Sequence, residues 1–182
     1  MRRILLLFTA MLTVLSAQAQ IHQASSFGVK SDGVTLNTRS IQAAIDYISS
    51  HGGGVLELSV GRYLTGSIFL KDNVELRLLE GAVLVGSTNP YDYDMVEGNY
   101  GLLLAKGQKN ISVKGKGVID GRGFDCALNF LNLVHLGLLE DTTKNDRVTK
   151  RPKLIYFREC ENVEIEGVNL RKIGRASCRE RV

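Results

Sequence analysis

Between residues 38 and 51 the apolar positions fall at Ile41, Ala44, Ile45 and Ile48. That i, i+3, i+4, i+7 spacing puts all four on one side of a helix with 3.6 residues per turn. Asn37 or Thr38 can cap its start, and Gly52 can take the left-handed backbone that ends it. No second stretch shows helical periodicity of comparable quality. After Gly52-Gly53-Gly54 the period changes to two. Alternating apolar runs span 55–60, 63–70, 74–78, 82–85, 111–113, 118–119, 154–157, 163–165 and 168–170, and Gly, Asn or Asp punctuates nearly every one.

Form recurs along with period. Asn110-Ile-Ser-Val-Lys-Gly115 and Asn162-Val-Glu-Ile-Glu-Gly167 share the order Asn-apolar-x-apolar-x-Gly, and Asn73-Val-Glu-Leu opens the same way. Such a unit cannot bury its apolar side alone; repeated with polar turns, it stacks into a solenoid whose rungs cover one another. Short strands with regular turns also suit a β-sandwich. The recurrence favours the solenoid, as does a helix placed before the first rung, where end strands need a cover against edge pairing. The intervals, 37 residues from Asn73 to Asn110 and 52 from Asn110 to Asn162, are unequal, so the rungs carry loops of different lengths. Residues 88–94 read as a turn-rich loop, and 123–152 as a long leucine-containing segment ending in a charged stretch.

Composition adds limits to this pattern. With 182 residues, 44% hydrophobic and 23% charged, the chain suits one soluble domain and excludes disorder or collagen-like repetition. The formal charge of +4 comes from the ends: without residues 1–19 and 174–182 there remain 18 basic and 18 acidic side chains. A neutral body offers no phosphate-neutralising patch, so no nucleic-acid partner is expected. Residues 1–19 combine Arg2-Arg3, an apolar run over 4–15 and Ala17-Gln18-Ala19, the form of a cleavable signal peptide. The apolar run is short for a bilayer, which needs about 20 residues. A secreted or periplasmic product with no membrane attachment after cleavage is expected. Residues 174–182 abandon the preceding periodicity and are read as a non-native tail, with a native basic tail as the alternative.

Few side chains suggest chemistry. Asp92 and Asp94, two apart, would face one way on an extended segment and could hold Ca²⁺ or sugar hydroxyls; a solvated loop is the plainer reading. Asp120 ends a strand before Gly121-Arg122-Gly123 and suits a turn-closing role over catalysis. His22, His51 and His135 are scattered, and Cys126, Cys160 and Cys178 fit neither a zinc site nor a disulfide framework and read as free thiols. Arg147, Lys150, Arg151 and Lys153 could meet an anionic polymer, but Asp141 and Asp146 lie among them and a solvated face is favoured. Asn110-Ile111-Ser112 matches a glycosylation acceptor by coincidence with the repeat.

The segments Phe27-Gly28-Val29-Lys30-Ser31-Asp32-Gly33, Ile41-Gln42-Ala43-Ala44-Ile45-Asp46, Gly61-Arg62-Tyr63-Leu64-Thr65-Gly66-Ser67-Ile68 and Leu79-Glu80-Gly81-Ala82 resemble the N-terminal part of pectin-degrading parallel β-helix proteins. Downstream, Gly117-Val118-Ile119-Asp120-Gly121-Arg122-Gly123 and Arg151-Pro152 before Leu154-Ile155-Tyr156-Phe157 are similar to glycoside hydrolase family 28, the polygalacturonases. The likeness covers residues 24–172. It implies an all-β, right-handed parallel β-helix with an N-terminal capping helix, occupying residues 20–173 and truncated at its C-terminal end. For a complete relative it implies metal-independent, inverting hydrolysis of galacturonosyl linkages in pectic polysaccharide, without a cofactor, by a protein that is a monomer. Inversion needs an acid and a base on opposite faces of the sugar, about 6.5–9.5 Å apart. In that family these come from an Asn-x-Asp motif and an Asp-Asp pair, supported by Gly-His-Gly and Arg-x-Lys. All four are expected on rungs after the one at Asn162, so no catalytic residue is assigned in this chain, which is expected to be inactive alone and open at its last rung. A calcium-dependent pectate lyase, a rhamnogalacturonan-acting relative and a non-catalytic adhesin-like β-helix are the competing readings.

Overall fold

A computed structural model describes residues 20–139 and 152–171. The expected signal peptide, the charged residues Asp141, Asp146, Arg147, Lys150 and Arg151, and the tail with Cys178 lie outside the described residues.

The chain winds in successive coils. The first holds β1 (Ile21–Gln23), a 3₁₀ turn at Ala24–Phe27, β2 (Asp32–Leu36) and helix α1 (Thr38–Ser50). The second holds β3 (Gly54–Leu58), β4 (Gly61–Thr65) and β5 (Ile68–Phe69). The third runs through β6 (Val74–Leu78), β7 (Ala82–Gly86), a 3₁₀ turn at Pro90–Asp92, β8 (Met95–Val96) and β9 (Asn99–Lys106). The fourth comprises β10 (Lys109–Gly115), β11 (Val118–Asp120), helix α2 (Gly123–His135) and β12 (Lys153–Arg158); β13 (Glu161–Glu166) and β14 (Asn169–Arg171) begin a fifth. Corresponding strands stack into three sheets, β1-β3-β6-β10-β13, β2-β4-β7-β11-β14 and β5-β9-β12. Every pairing is parallel except the hairpin of β8 with β9. This is a right-handed parallel β-helix: the repeat predicts a solenoid, and the family resemblance implies this form of it.

Register turns sequence alternation into a continuous core. Leu56 pairs with Leu76, Leu76 with Val113, and Val113 with Ile165. Tyr63, Leu84, Ile119 and Leu170 line up likewise in the second sheet, and Ile68, Leu103 and Ile155 in the third. Helix α1 closes the first end of this column with the predicted stripe, Ile41, Ala44, Ile45 and Ile48, all fully buried. At the other end Val163, Ile165 and Leu170 are exposed by 40–44%.

The repeated asparagines mark the turn into the first sheet. Asn73, Asn110 and Asn162 have φ of 60°, 54° and 53°, the left-handed region that Asn tolerates better than most residues. Their amides form a ladder: Asn110 Nδ2 donates to Asn73 Oδ1 and Asn162 Nδ2 to Asn110 Oδ1, each at 2.8 Å.

Four expectations need correction. Asn37 occupies the N-cap position of α1 without capping it by its side chain. That side chain is buried and instead accepts from the Lys30 N–H and donates to the Lys30 and Thr35 carbonyls, pinning the chain before the helix. A second 13-residue helix, α2, exists; its buried apolar positions are only Cys126 and Phe130, while Phe124, Leu128 and Leu131 face solvent, so no single stripe announces it. The run 63–70 is two strands, because Gly66 breaks it where its backbone presses on the Asp92 carbonyl and leaves no room for a Cβ. Finally, β9 was not expected: Gly101 to Ala105 are buried without alternation, covered on both faces, the pattern of a fully enclosed strand.

Candidate functional site

Two long connections from the second sheet to the third, 87–98 and the one beginning at Gly121, lie against each other at one corner. Asn129 Nδ2 of α2 donates to the Thr88 carbonyl at 2.9 Å, and Tyr91 Oη donates to the Leu138 carbonyl at 3.0 Å. Asp92 and Asp94 belong to the first connection, but the 3₁₀ turn at Pro90–Asp92 removes the extended geometry that would align their carboxylates. Asp92 accepts hydrogen bonds from Ser87 Oγ and Asn89 Nδ2, closing its own loop, and Asp94 sits exposed beside Ser67. The structure gives the pair no shared ligand site.

The other candidates resolve to structural positions. Asp120 Oδ1 accepts from the Arg122 N–H at 3.0 Å, the expected turn closure. His51 Nδ1 lies 2.8 Å from the Tyr47 carbonyl oxygen and its ring stacks on Tyr47, while His22 meets Phe27 and Tyr47 edge-on, so both belong to the N-terminal cap. His135 ends α2. Cys126 and Cys160 form no disulfide. Asn110 is in the ladder described above. The spelling Arg-x-Lys, expected only on later rungs, does occur at Arg151-Pro152-Lys153. Of these Lys153 opens β12; its Nζ is 2.8 Å from Asn99 Oδ1 and 4.6 Å from the centre of the Tyr156 ring, joining β12 to β9.

Polar and charged side chains on the first sheet pair within and across its strands. Arg77 Nε donates to Glu75 Oε1 at 2.6 Å, Gln23 Nε2 to Glu57 Oε1 at 2.6 Å and Lys114 Nζ to Glu164 Oε2 at 2.6 Å. The Lys114 contact holds the Glu164 carboxyl below its usual range and raises the lysine.

Three surface clefts stand out among the described residues. A cavity of about 210 Å³ is lined by Pro90, Tyr91, Tyr93, Tyr100 and Leu139. Tyr93 is buried there; desolvation raises its hydroxyl far above the usual tyrosine range, with Cys126 and Asp92 adding to the effect, and it donates to the Ser87 carbonyl at 2.6 Å. A groove of about 560 Å³ follows the asparagine ladder and includes Glu75. A third cleft, about 380 Å³, lies beside the β8–β9 hairpin and includes Glu97. Each has at most one carboxylate, so none of the three places an acid and a base on opposite faces of a sugar. Among the described residues no group of three His, Cys, Asp or Glu is arranged to hold a metal ion. No described helix is long and apolar enough to cross a membrane. These surfaces do not assemble a bond-breaking pair. Sequence reading missed Tyr100 and the hairpin cleft because both depend on the enclosed strand β9, whose unbroken apolar run hides its neighbours.

No family model matches the chain. An exo-poly-α-D-galacturonosidase of Dickeya chrysanthemi is 36% identical over 129 residues, 62% of this chain and 21% of the relative. Among solved structures, a Parabacteroides merdae protein provisionally named a glycosyl hydrolase superposes with a TM-score of 0.77 at 47% identity, over 85% of this chain and 66% of that one. A family 28 exopolygalacturonase of Yersinia enterocolitica superposes with a TM-score of 0.73 at 27% identity, over 87% of this chain and 36% of that one. The chain thus spans about a fifth of the Dickeya relative and about a third of the Yersinia enzyme.

Proposed function

We propose that this chain, a relative of the family 28 polygalacturonases over their N-terminal portion, supplies the capping helix and first coils of a secreted or periplasmic hydrolase acting on galacturonosyl linkages of pectic polysaccharide. The observation that supports this most is the combined match of fold and sequence to the Yersinia and Dickeya enzymes, which coincides with the cap and first coils. In the whole protein the reaction is inverting and metal-independent: one carboxylic acid protonates the leaving oxygen while a carboxylate activates water on the opposite face. The coils described here brace that site and carry none of its acid–base pair. Residues 1–19 act as the leader, so the mature protein begins at Gln20, which mass spectrometry of the exported product reads directly.

The test is release of reducing ends from polygalacturonate by the protein extended through its following coils, with and without a calcium chelator. Chelator-insensitive hydrolysis is the expected result. Cleavage that yields unsaturated ends and stops with chelator would replace the hydrolase by a lyase. No cleavage of any acidic polymer would replace it by a binding module.

A further inference from the structure

The cleft beside the β8–β9 hairpin combines features that the proposed hydrolysis does not use. Its lining is mixed: among the apolar residues Phe69 is half-buried and Leu70 and Val96 are buried. Met95 stands at the rim, 53% exposed. Two cations line it, Lys71 and Lys106. Its single lining carboxylate, Glu97, is already engaged by Lys106 Nζ at 3.0 Å and by Arg158 Nε at 2.7 Å.

The hairpin wall is firmly placed. Glu97 and Gly98, with φ of 48° and 76°, make the tight turn that joins two antiparallel strands. Glu97 holds the left-handed conformation that is uncommon for a side-chain-bearing residue, and its two ion pairs tie the turn to β9 and β12. The far wall is fixed by Gln108, whose Oε1 accepts from the Asp72 N–H at 2.9 Å and whose Nε2 donates to the Lys106 carbonyl at 3.0 Å. Lys71 alone among the lining charges has no ion-pair partner among the described residues.

A cleft that sets a few apolar side chains beside fixed polar groups suits a ligand that is itself part apolar and part polar, and about 380 Å³ falls within the usual size range. A sugar ring presents an apolar face of C–H groups; an acidic sugar adds one carboxylate at its edge. We infer that this cleft is a non-catalytic binding site for an acidic saccharide, with the sugar face on Phe69 and Met95 and its carboxylate on Lys71. Choosing galacturonate as that saccharide rests on the pectic reading above; the cleft's preference for an acidic over a neutral sugar does not. Such a site would hold the polymer on the first coils.

The experiment is calorimetric titration of the 182-residue chain with trigalacturonate, trimannuronate and neutral galactotriose, repeated for Lys71→Glu and for Met95→Asp, with circular dichroism confirming that each variant keeps its fold. The expected result is binding of trigalacturonate weakened at least tenfold by either substitution and by raised salt, with galactotriose bound far more weakly throughout. Trimannuronate bound in the same Lys71-dependent way while trigalacturonate is not bound would keep the acidic-sugar cleft and overturn galacturonate as its ligand. Absence of acidic-sugar binding, or binding unchanged in folded Lys71→Glu and Met95→Asp, would overturn the cleft and leave the hydrolase reading standing on its relatives.

Discussion

Asp32 shows how much a single exposed carboxylate can be shaped by its neighbours. Its Oδ2 accepts from Thr35 Oγ1 at 2.6 Å, and its Oδ1 accepts from the Val34 and Thr35 N–H groups. The Thr35 hydroxyl contributes most, and the carboxyl is held down to about 2. Because the folded value lies below the ordinary carboxylate range, the contribution of this turn to stability is present above about pH 4 and is lost as pH falls toward about 2. NMR titration of the Asp32 carboxyl should show the low midpoint, and Thr35→Val should move it upward. Asn110 makes a second prediction at this scale. Asn110→Ala forfeits both ladder bonds and places Ala at φ 54°, a loss of about 2 kcal/mol, whereas Asn110→Gly keeps the backbone at ease and loses about half as much in denaturant melts.

Among the elements, α1 was readable because one side of it meets one surface: four apolar residues at helical spacing face the column, and nothing else in the fold competes for them. Helix α2 and strand β9 were not readable for opposite reasons. The helix has apolar residues on two faces, only one of them buried; the strand is covered on both faces, so its residues need not alternate. The Asn ladder was visible as a recurrence, yet its left-handed backbone and amide bonds needed coordinates to show why Asn recurs. For Asp92 and Asp94 the plainer reading of a loop holds, because Pro90 starts a 3₁₀ turn that removes the extended geometry a shared site would need. Glycines at coil corners offer a test at this scale. A Cβ on Gly115, at φ 116°, would overlap the Leu78 carbonyl of the coil below, whereas Gly107, at φ 63°, has open space around it. Gly115→Ala should cost about 2–3 kcal/mol and Gly107→Ala about 1 kcal/mol, compared by thermal melts.

In the whole molecule, stability follows position along the column. Leu76 is fully buried between Leu56 and Val113, while Ile165, in the same row, is 44% exposed. In the 182-residue chain, Leu76→Ala should cost about 2–5 kcal/mol and Ile165→Ala less than about 1 kcal/mol, since truncation costs scale with the enclosed volume left behind. In a longer protein whose next coil covers β13, the Ile165 cost should rise toward that of Leu76. The proposed function follows the same gradient, with the first coils as cap and support and the acid–base pair on side chains they do not carry. The most direct test follows the anomeric proton signals of trigalacturonate by NMR in the presence of the 182-residue chain at high concentration. An unchanged spectrum over a day is predicted; new anomeric signals from shortened products, absent in a blank, would show that these coils hold a catalytic pair after all.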